Sequence, residues 1–260
     1  MDLNLEGKVA LVGGASQGIG QATAQLLAER GAKVILMARR PDVLESVRNS
    51  MVHPSRHRCF AIDVERYDEL ALSLGRLVLE TGPVGIWVNN TGGPKAGTLL
   101  EATPAEMERS FRGHVMASQV ILKTLVPGMK SLKYGRIINV LSTSVKIPIP
   151  GLGVSNLIRA AMASWAKTLS QELGPMGITV NNILPGFTET PRLASLAADA
   201  ALRSGTGEDK IRAAWIETIP LRRLAEPKET AEAIAFLASP RAAYISGISL
   251  PVDGGRTGAL

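Results

Sequence analysis

Seven residues near the start of the chain have the types and spacing to cradle a phosphate. Gly14-Ala-Ser16-Gln17-Gly18-Ile19-Gly20 places three glycines in one turn. Glycine lets the backbone turn tightly and approach an anion. Where such a turn opens a helix, free N–H groups and the positive end of the helix dipole face the ligand. The flanks supply that context, because Lys8–Val12 is an apolar run and Ile19–Arg30 has helical spacing. The same letters also satisfy the G-x-S-x-G nucleophile elbow of a hydrolase. A hydrolase would need an acid and then a histidine later in the chain, but His53, His57 and His114 are the only histidines. We therefore read a pyrophosphate loop. The next apolar β-branched run, Lys33–Ala38, ends at Arg39-Arg40. A carboxylate at that place binds a free ribose 2′-hydroxyl, whereas arginine accommodates a 2′-phosphate. Arg39 and Arg40 favour NADP(H) over NAD(H), with Asp42 as the residue that argues against. His53, His57 and Cys59 lie within seven residues, but a structural zinc takes four ligands and none follows nearby. No metal site is expected.

The elements that must position these residues alternate. Further apolar runs at Cys59–Ile62, Val84–Val88, Ile137–Leu141 and Thr179–Leu184 end at Asp63, Asn89, Ser142 and Pro185. The segments between them are long enough for helices. Continuous Val/Ile/Leu strands separated by helices imply a doubly wound Rossmann-type parallel sheet with helices on both faces. With no linker or internal repeat, residues 1–260 read as one α/β domain. Ligands of such sheets bind beyond the carboxyl ends of the strands. One stretch, Arg192–Arg223, breaks the rhythm and reads as a substrate lid at about 190–223. Its Ala, Leu, Trp215 and Ile216 suggest a partly apolar substrate, such as an acyl chain.

Composition narrows the function further. The 260 residues are 45% hydrophobic, enough for a buried core, which excludes a disordered chain. The net charge of +6 is spread along the chain without a basic run, so nucleic acid is not the expected partner. No apolar run reaches the length of a membrane span. One cysteine and no signal-like start give the expectation of a cytoplasmic protein.

Taken together, these residues resemble the short-chain dehydrogenase/reductase family over nearly the whole chain. Gly14-x-x-x-Gly18-x-Gly20 resembles its cofactor loop. Asp63-Val64 resembles the adenine-contacting Asp after the third strand, and Asn89-Asn90-Thr91-Gly92 its N-N-A-G. Pro185-Gly186 through Thr190 resembles the segment beside the nicotinamide, and Tyr244–Gly247 with Asp253–Gly255 the C-terminal signature. The branch most resembled is that of β-ketoacyl-carrier-protein reductases. The resemblance implies a carbonyl or alcohol substrate, a 3-oxoacyl compound among the candidates. It also implies a homodimer or homotetramer formed through the apolar helices Glu106–Leu125 and Val154–Leu173.

The departures from the family pattern fall on the chemistry. The family places a Ser, a Tyr thirteen residues later, a Lys four after that, and an upstream Asn. Ser142 fits the Ser, but Ser155 stands at the Tyr, Arg159 at the Lys and His114 at the Asn, while Gly13 replaces a Thr. A phenol can be tuned to give a proton to an alkoxide, but an aliphatic hydroxyl is far less acidic. Arg159, at i+4 from Ser155, stays charged and offers five donors. It can bind the nicotinamide ribose and stabilise an alkoxide, but it cannot readily deliver a proton. The expected donor is Lys146, four residues after Ser142, or a water, with Lys95 as a further ammonium. His114 either packs or relays a proton. Two readings follow: an NADP(H)-dependent oxidoreductase with an atypical active site, and a catalytically impaired dinucleotide-binding pseudoenzyme that acts as sensor or scaffold.

Overall fold

The computed structural model describes residues 3–259. Seven strands form one sheet: β1 (Val9–Gly13), β2 (Lys33–Ala38), β3 (Arg58–Ala61), β4 (Ile86–Asn89), β5 (Gly135–Val140), β6 (Ile178–Pro185) and β7 (Ser249–Val252). Their order is β3-β2-β1-β4-β5-β6-β7, and every pairing is parallel. The chain runs outward from β1 to β3 and then returns to β4 beside β1. That reversal opens a crevice between the carboxyl ends of β1 and β4.

Among the described residues nine α-helices cover the sheet: α1 (Gly18–Glu29), α2 (Pro41–Ser50), α3 (Tyr67–Thr81), α4 (Pro104–Phe111), α5 (Ala117–Leu132), α6 (Gly153–Leu173), α7 (Pro191–Ser204), α8 (Glu208–Glu217) and α9 (Pro227–Ala238). Alternate residues of each strand feed opposite faces. Ala10 and Val12 join a core with Leu26, Leu27, Ile234 and Leu237 under α1 and α9. Leu11 joins the opposite core with Trp87, Leu125 and Leu169 under α5 and α6. Burial on both faces explains why the inner strands read as unbroken apolar runs.

The expected strands are present, with ends shifted by one or two residues. The seventh strand is one that the apolar runs do not predict. It is short and contains Pro251, which a sheet edge tolerates because an N–H is not required there. The expected helix Glu106–Leu125 is α4, a π-helical turn over Arg112–Met116, and α5. Apolar periodicity runs through that turn and hides it. The stretch read as a lid contains α7 and α8. Its base is fixed by Glu189 N–H donating to Ala225 O at 2.8 Å and by Ala225 N–H donating to Phe187 O at 2.9 Å.

A buried row of amides crosses the sheet in register. Asn89 donates to Asn139 at 2.9 Å, Asn139 to Asn182 at 3.0 Å, and Asn182 to Ser249 at 3.0 Å. Asn89 also donates to Ser118 at 2.9 Å, and Ser118 donates to the His114 carbonyl at 2.5 Å. Satisfied buried polar chains of this kind fix one arrangement. This one ties the π-helical turn to the carboxyl ends of the central strands.

Candidate functional site

A cleft of about 1370 Å³ lies along the carboxyl ends of the strands. One end begins at the glycine turn. Gly14 and Gly18 adopt φ of +59° and +57°, the left-handed region that glycine enters without strain. A Cβ on Gly20 would overlap the Gly14 carbonyl oxygen, so Gly20 is buried packing between turn and helix and does not form cleft wall. Gly14, Ser16, Gln17, Gly18 and Ile19 do line the cleft. The start of α1 has no side-chain cap and no acidic residue in its first turn. Its free N–H groups and positive dipole end therefore await an anion. Asn90 lines the cleft and donates from Nδ2 to Gly13 O at 3.2 Å, clamping the turn. A Cβ at Gly13 would fall 2.6 Å from the Asn90 carbonyl, so this clamp leaves no room for the family's Thr.

Further along, Arg39 and Arg40 are exposed at the end of β2 and line the cleft. Neither forms an ion pair among the described residues. Val64 lies on the wall beside them. Asp63 does as well, and its carboxylate already accepts from the Glu65 N–H at 3.1 Å. Thr91 and Gly92 after β4, and Pro185, Gly186 and Thr190 after β6, continue the wall toward the other end. Thr190 also caps α7, accepting from the Leu193 N–H at 3.2 Å. The glycine cradle, the uncapped helix and the free arginines fit the phosphates of a dinucleotide.

The far end gathers Ser142, Ser155, Arg159 and His114. Ser142 follows β5, and its Oγ accepts from the Ser144 N–H at 3.1 Å. That bond fixes the oxygen and leaves the hydroxyl proton free to donate. Ser155 is buried on the first turn of α6, and Arg159 lies one turn on. Arg159 is 7% exposed, and no carboxylate pairs with it. Its Nη1 donates to Val140 O at 2.9 Å and its Nε is buried without a partner. Burial, with Arg192 second, pushes the guanidinium pKa down to about 10. His114 sits in the π-helical turn, with Nδ1 2.6 Å from Thr91 Oγ1. Burial, with Arg159 second, pushes its pKa down to about 3. The ring is neutral at physiological pH and serves as a hydrogen-bonding wall, not an acid.

Some expected residues are not brought here. Lys146 and Lys95 are exposed and lie off the cleft wall. Loops after the strands turn them outward, so neither acquires the burial expected of a proton donor. His57 is consumed structurally: Nδ1 accepts from the Val34 N–H at 3.1 Å, and Nε2 meets Val52 O at 2.8 Å. Cys59 is an unreactive thiol, pushed up to about 11 by burial and the neighbouring Glu45. No metal-binding cluster occurs among the described residues. No helix of the described residues is long and apolar enough to cross a membrane.

The inner face of the lid carries cations among the apolar residues expected there. Phe187 and Trp215 stack at 4.8 Å, and Arg256 covers Phe187 at 4.5 Å. Besides the apolar Pro191, Leu193, Leu196, Ala200 and Trp215, that face presents Arg192 and Arg203. Helical spacing could have placed Arg192 and Arg203 on the cleft side of α7, but the count of Ala and Leu masked them.

The family model described as enoyl-(acyl carrier protein) reductase matches residues 14–257. The 3-oxoacyl-(acyl-carrier-protein) reductase FabG of Vibrio cholerae is 36% identical, with 97% of this chain and 98% of that protein covered. L-sorbose reductase from Gluconobacter frateurii, solved with NADPH and L-sorbose, superposes with a TM-score of 0.92 at 32% identity over the whole of both chains. The 3-ketoacyl-(acyl-carrier-protein) reductase from Brucella melitensis, solved with NADH, gives 0.85 at 32% identity, covering 98% of this chain and all of that one.

Proposed function

The chain belongs to the short-chain dehydrogenase/reductase family, and on that premise we propose that it is an NADP(H)-dependent oxidoreductase acting on a carbonyl or alcohol substrate through an atypical active site. The observation that carries this reading is the joining of two features in one cleft. An anion cradle with two unpaired arginines stands at one end, and a buried guanidinium beside a free hydroxyl stands at the other.

Gly14, Ser16–Ile19 and the start of α1 would hold the pyrophosphate, and Arg39 and Arg40 the 2′-phosphate. The relatives solved with NADPH and with NADH support a nicotinamide cofactor of either kind, and the arginines favour the former. When bound, the nicotinamide supplies or accepts the hydride at the substrate carbon. Ser142 donates its hydroxyl proton in a hydrogen bond to the substrate oxygen. Arg159, whose Nη2 makes no hydrogen bond among the described residues, holds the ribose and lowers the energy of negative charge on that oxygen. The proton itself comes from water. His114 is neutral, Arg159 keeps its proton at neutral pH, Ser155 is too weak an acid, and Lys146 lies outside. Exposed Phe111, Met116 and Leu157 on the α4–α5 and α6 surfaces are consistent with a homodimer or homotetramer.

The same absence of a side-chain acid favours the second reading, a protein that binds the dinucleotide without turning over. Oxidation of NADPH by a panel of ketones, followed at its absorbance, separates the two. Consumption that depends on the ketone is the expected result. Tight NADPH binding with no consumption across the panel would establish the binding protein.

A further inference from the structure

We propose that the substrate end of the cleft is a carboxylate-binding subsite centred on Arg192, so that the natural substrate is an oxo or hydroxy acid with a free carboxylate. This deepens the oxidoreductase reading and rests on it.

Three observations meet at Arg192. Its guanidinium is held in place, with Nη2 donating to Pro94 O at 2.5 Å and lying against Gly93. Burial pushes its pKa down, Asp199, the acid that acts on it, forms no ion pair with it among the described residues, and it is the charge that Arg159 senses. It also occupies the first turn of α7. The helix dipole there favours anions and opposes a cation. A half-buried arginine, a fully buried arginine and a helix N-terminus thus point positive charge at one place. The only carboxylates on the cleft wall are Asp63 and Glu65, at the opposite, adenosine end. Buried charge without a partner is strongly disfavoured, and a carboxylate supplied by the ligand removes the imbalance. Guanidinium groups bind carboxylates through two parallel N–H donors, and Arg192 has spent one nitrogen on Pro94 and keeps others. The free hydroxyl of Ser142 lies on the same wall, so the reacting carbonyl and the carboxylate belong to one small molecule.

The test uses acetoacetate and pyruvate against their methyl esters, which keep the carbonyl and lose the charge. Isothermal titration on the NADPH-loaded protein measures binding, and a parallel titration without cofactor keeps the subsite measurable if NADPH does not bind. Each acid is expected to bind at least about tenfold tighter than its ester, the scale of one charge-assisted pair. Arg192→Gln removes that preference, and Arg192→Lys restores part of it. Equal binding of acid and ester, binding by neither acid, or a preference that survives Arg192→Gln overturns the proposal. Equal weakening of NADPH and NADH by Arg192→Gln, with the acid preference intact, would assign the arginine to the cofactor pyrophosphate and also overturn it. Ester turnover without acid preference would leave the oxidoreductase reading standing and remove only the subsite.

Discussion

At its phosphate end the cleft is walled largely by backbone: a glycine turn, the open start of α1 and an asparagine clamp. At its substrate end it is walled by side chains, among them a buried arginine, a neutral histidine and two serines. The first end stores little energy, because its glycines enter their dihedrals freely and its free N–H groups face an open cleft. The second keeps a charge in the interior without a partner, at a cost to the fold. Function is held under tension at the second end, and three variants probe it.

The largest effect is expected at Arg159. Arg159→Met removes the cation that faces the developing negative charge, and kcat/KM for carbonyl reduction should fall about 10²–10³-fold. The protein should nevertheless melt at a higher temperature. Depression of its pKa to about 10 corresponds to roughly 3 kcal/mol of penalty on the charged form. Part of that returns when the charge is removed, and each kcal/mol recovered raises Tm by about 2–4 °C in a chain of this size. Calorimetry and steady-state kinetics on the same variant read both numbers. A lower Tm with unchanged turnover would make Arg159 a structural residue and erase the contrast.

A smaller effect belongs to the phosphate end. Replacing Arg39 and Arg40 together by Ser should weaken NADPH by about tenfold or more, the range of a charge-assisted hydrogen bond, and leave NADH nearly untouched. Because both arginines are exposed and without ion pairs, stability should not change. Parallel loss of both cofactors would show that the pair acts only as a general positive field.

The same contrast explains what the sequence disclosed. The alternation of apolar runs and helical segments placed six of the seven strands, because buried parallel strands are written as continuous Val, Ile and Leu. The glycine turn was legible because its residue types follow from backbone geometry alone. The substrate end was less so. Lys146 looked available from its distance in sequence to Ser142, yet solvent exposure is set by the path of the loop. Arg192 reads in the sequence only as the start of the lid, because its partners, Pro94 and Gly93, are almost a hundred residues away. The in-register row Asn89, Asn139, Asn182 and Ser249 needs strand register to be seen at all.

The smallest effect near neutrality, and the one that tests the substrate end without substrate, lies in His114. Its folded pKa of about 3 lies below the ordinary 6.5, so between those values the unfolded chain binds the proton and the folded one does not. Stability therefore rises with pH across that window and is lost as pH falls below 6.5, by up to about 1.4 kcal/mol per pH unit from this residue. His57, also lowered by burial, adds in the same direction. His114→Asn keeps a polar group beside Thr91 and removes the titration. Denaturant unfolding between pH 7 and pH 5 should show a shallower loss in the variant, because carboxylates titrate mostly below that range. Identical slopes would mean that the imidazole titrates in the folded protein as it does in the unfolded chain. A second cation beside Arg159 would then have to be tolerated, and the substrate end would be far less starved of negative charge than its geometry indicates.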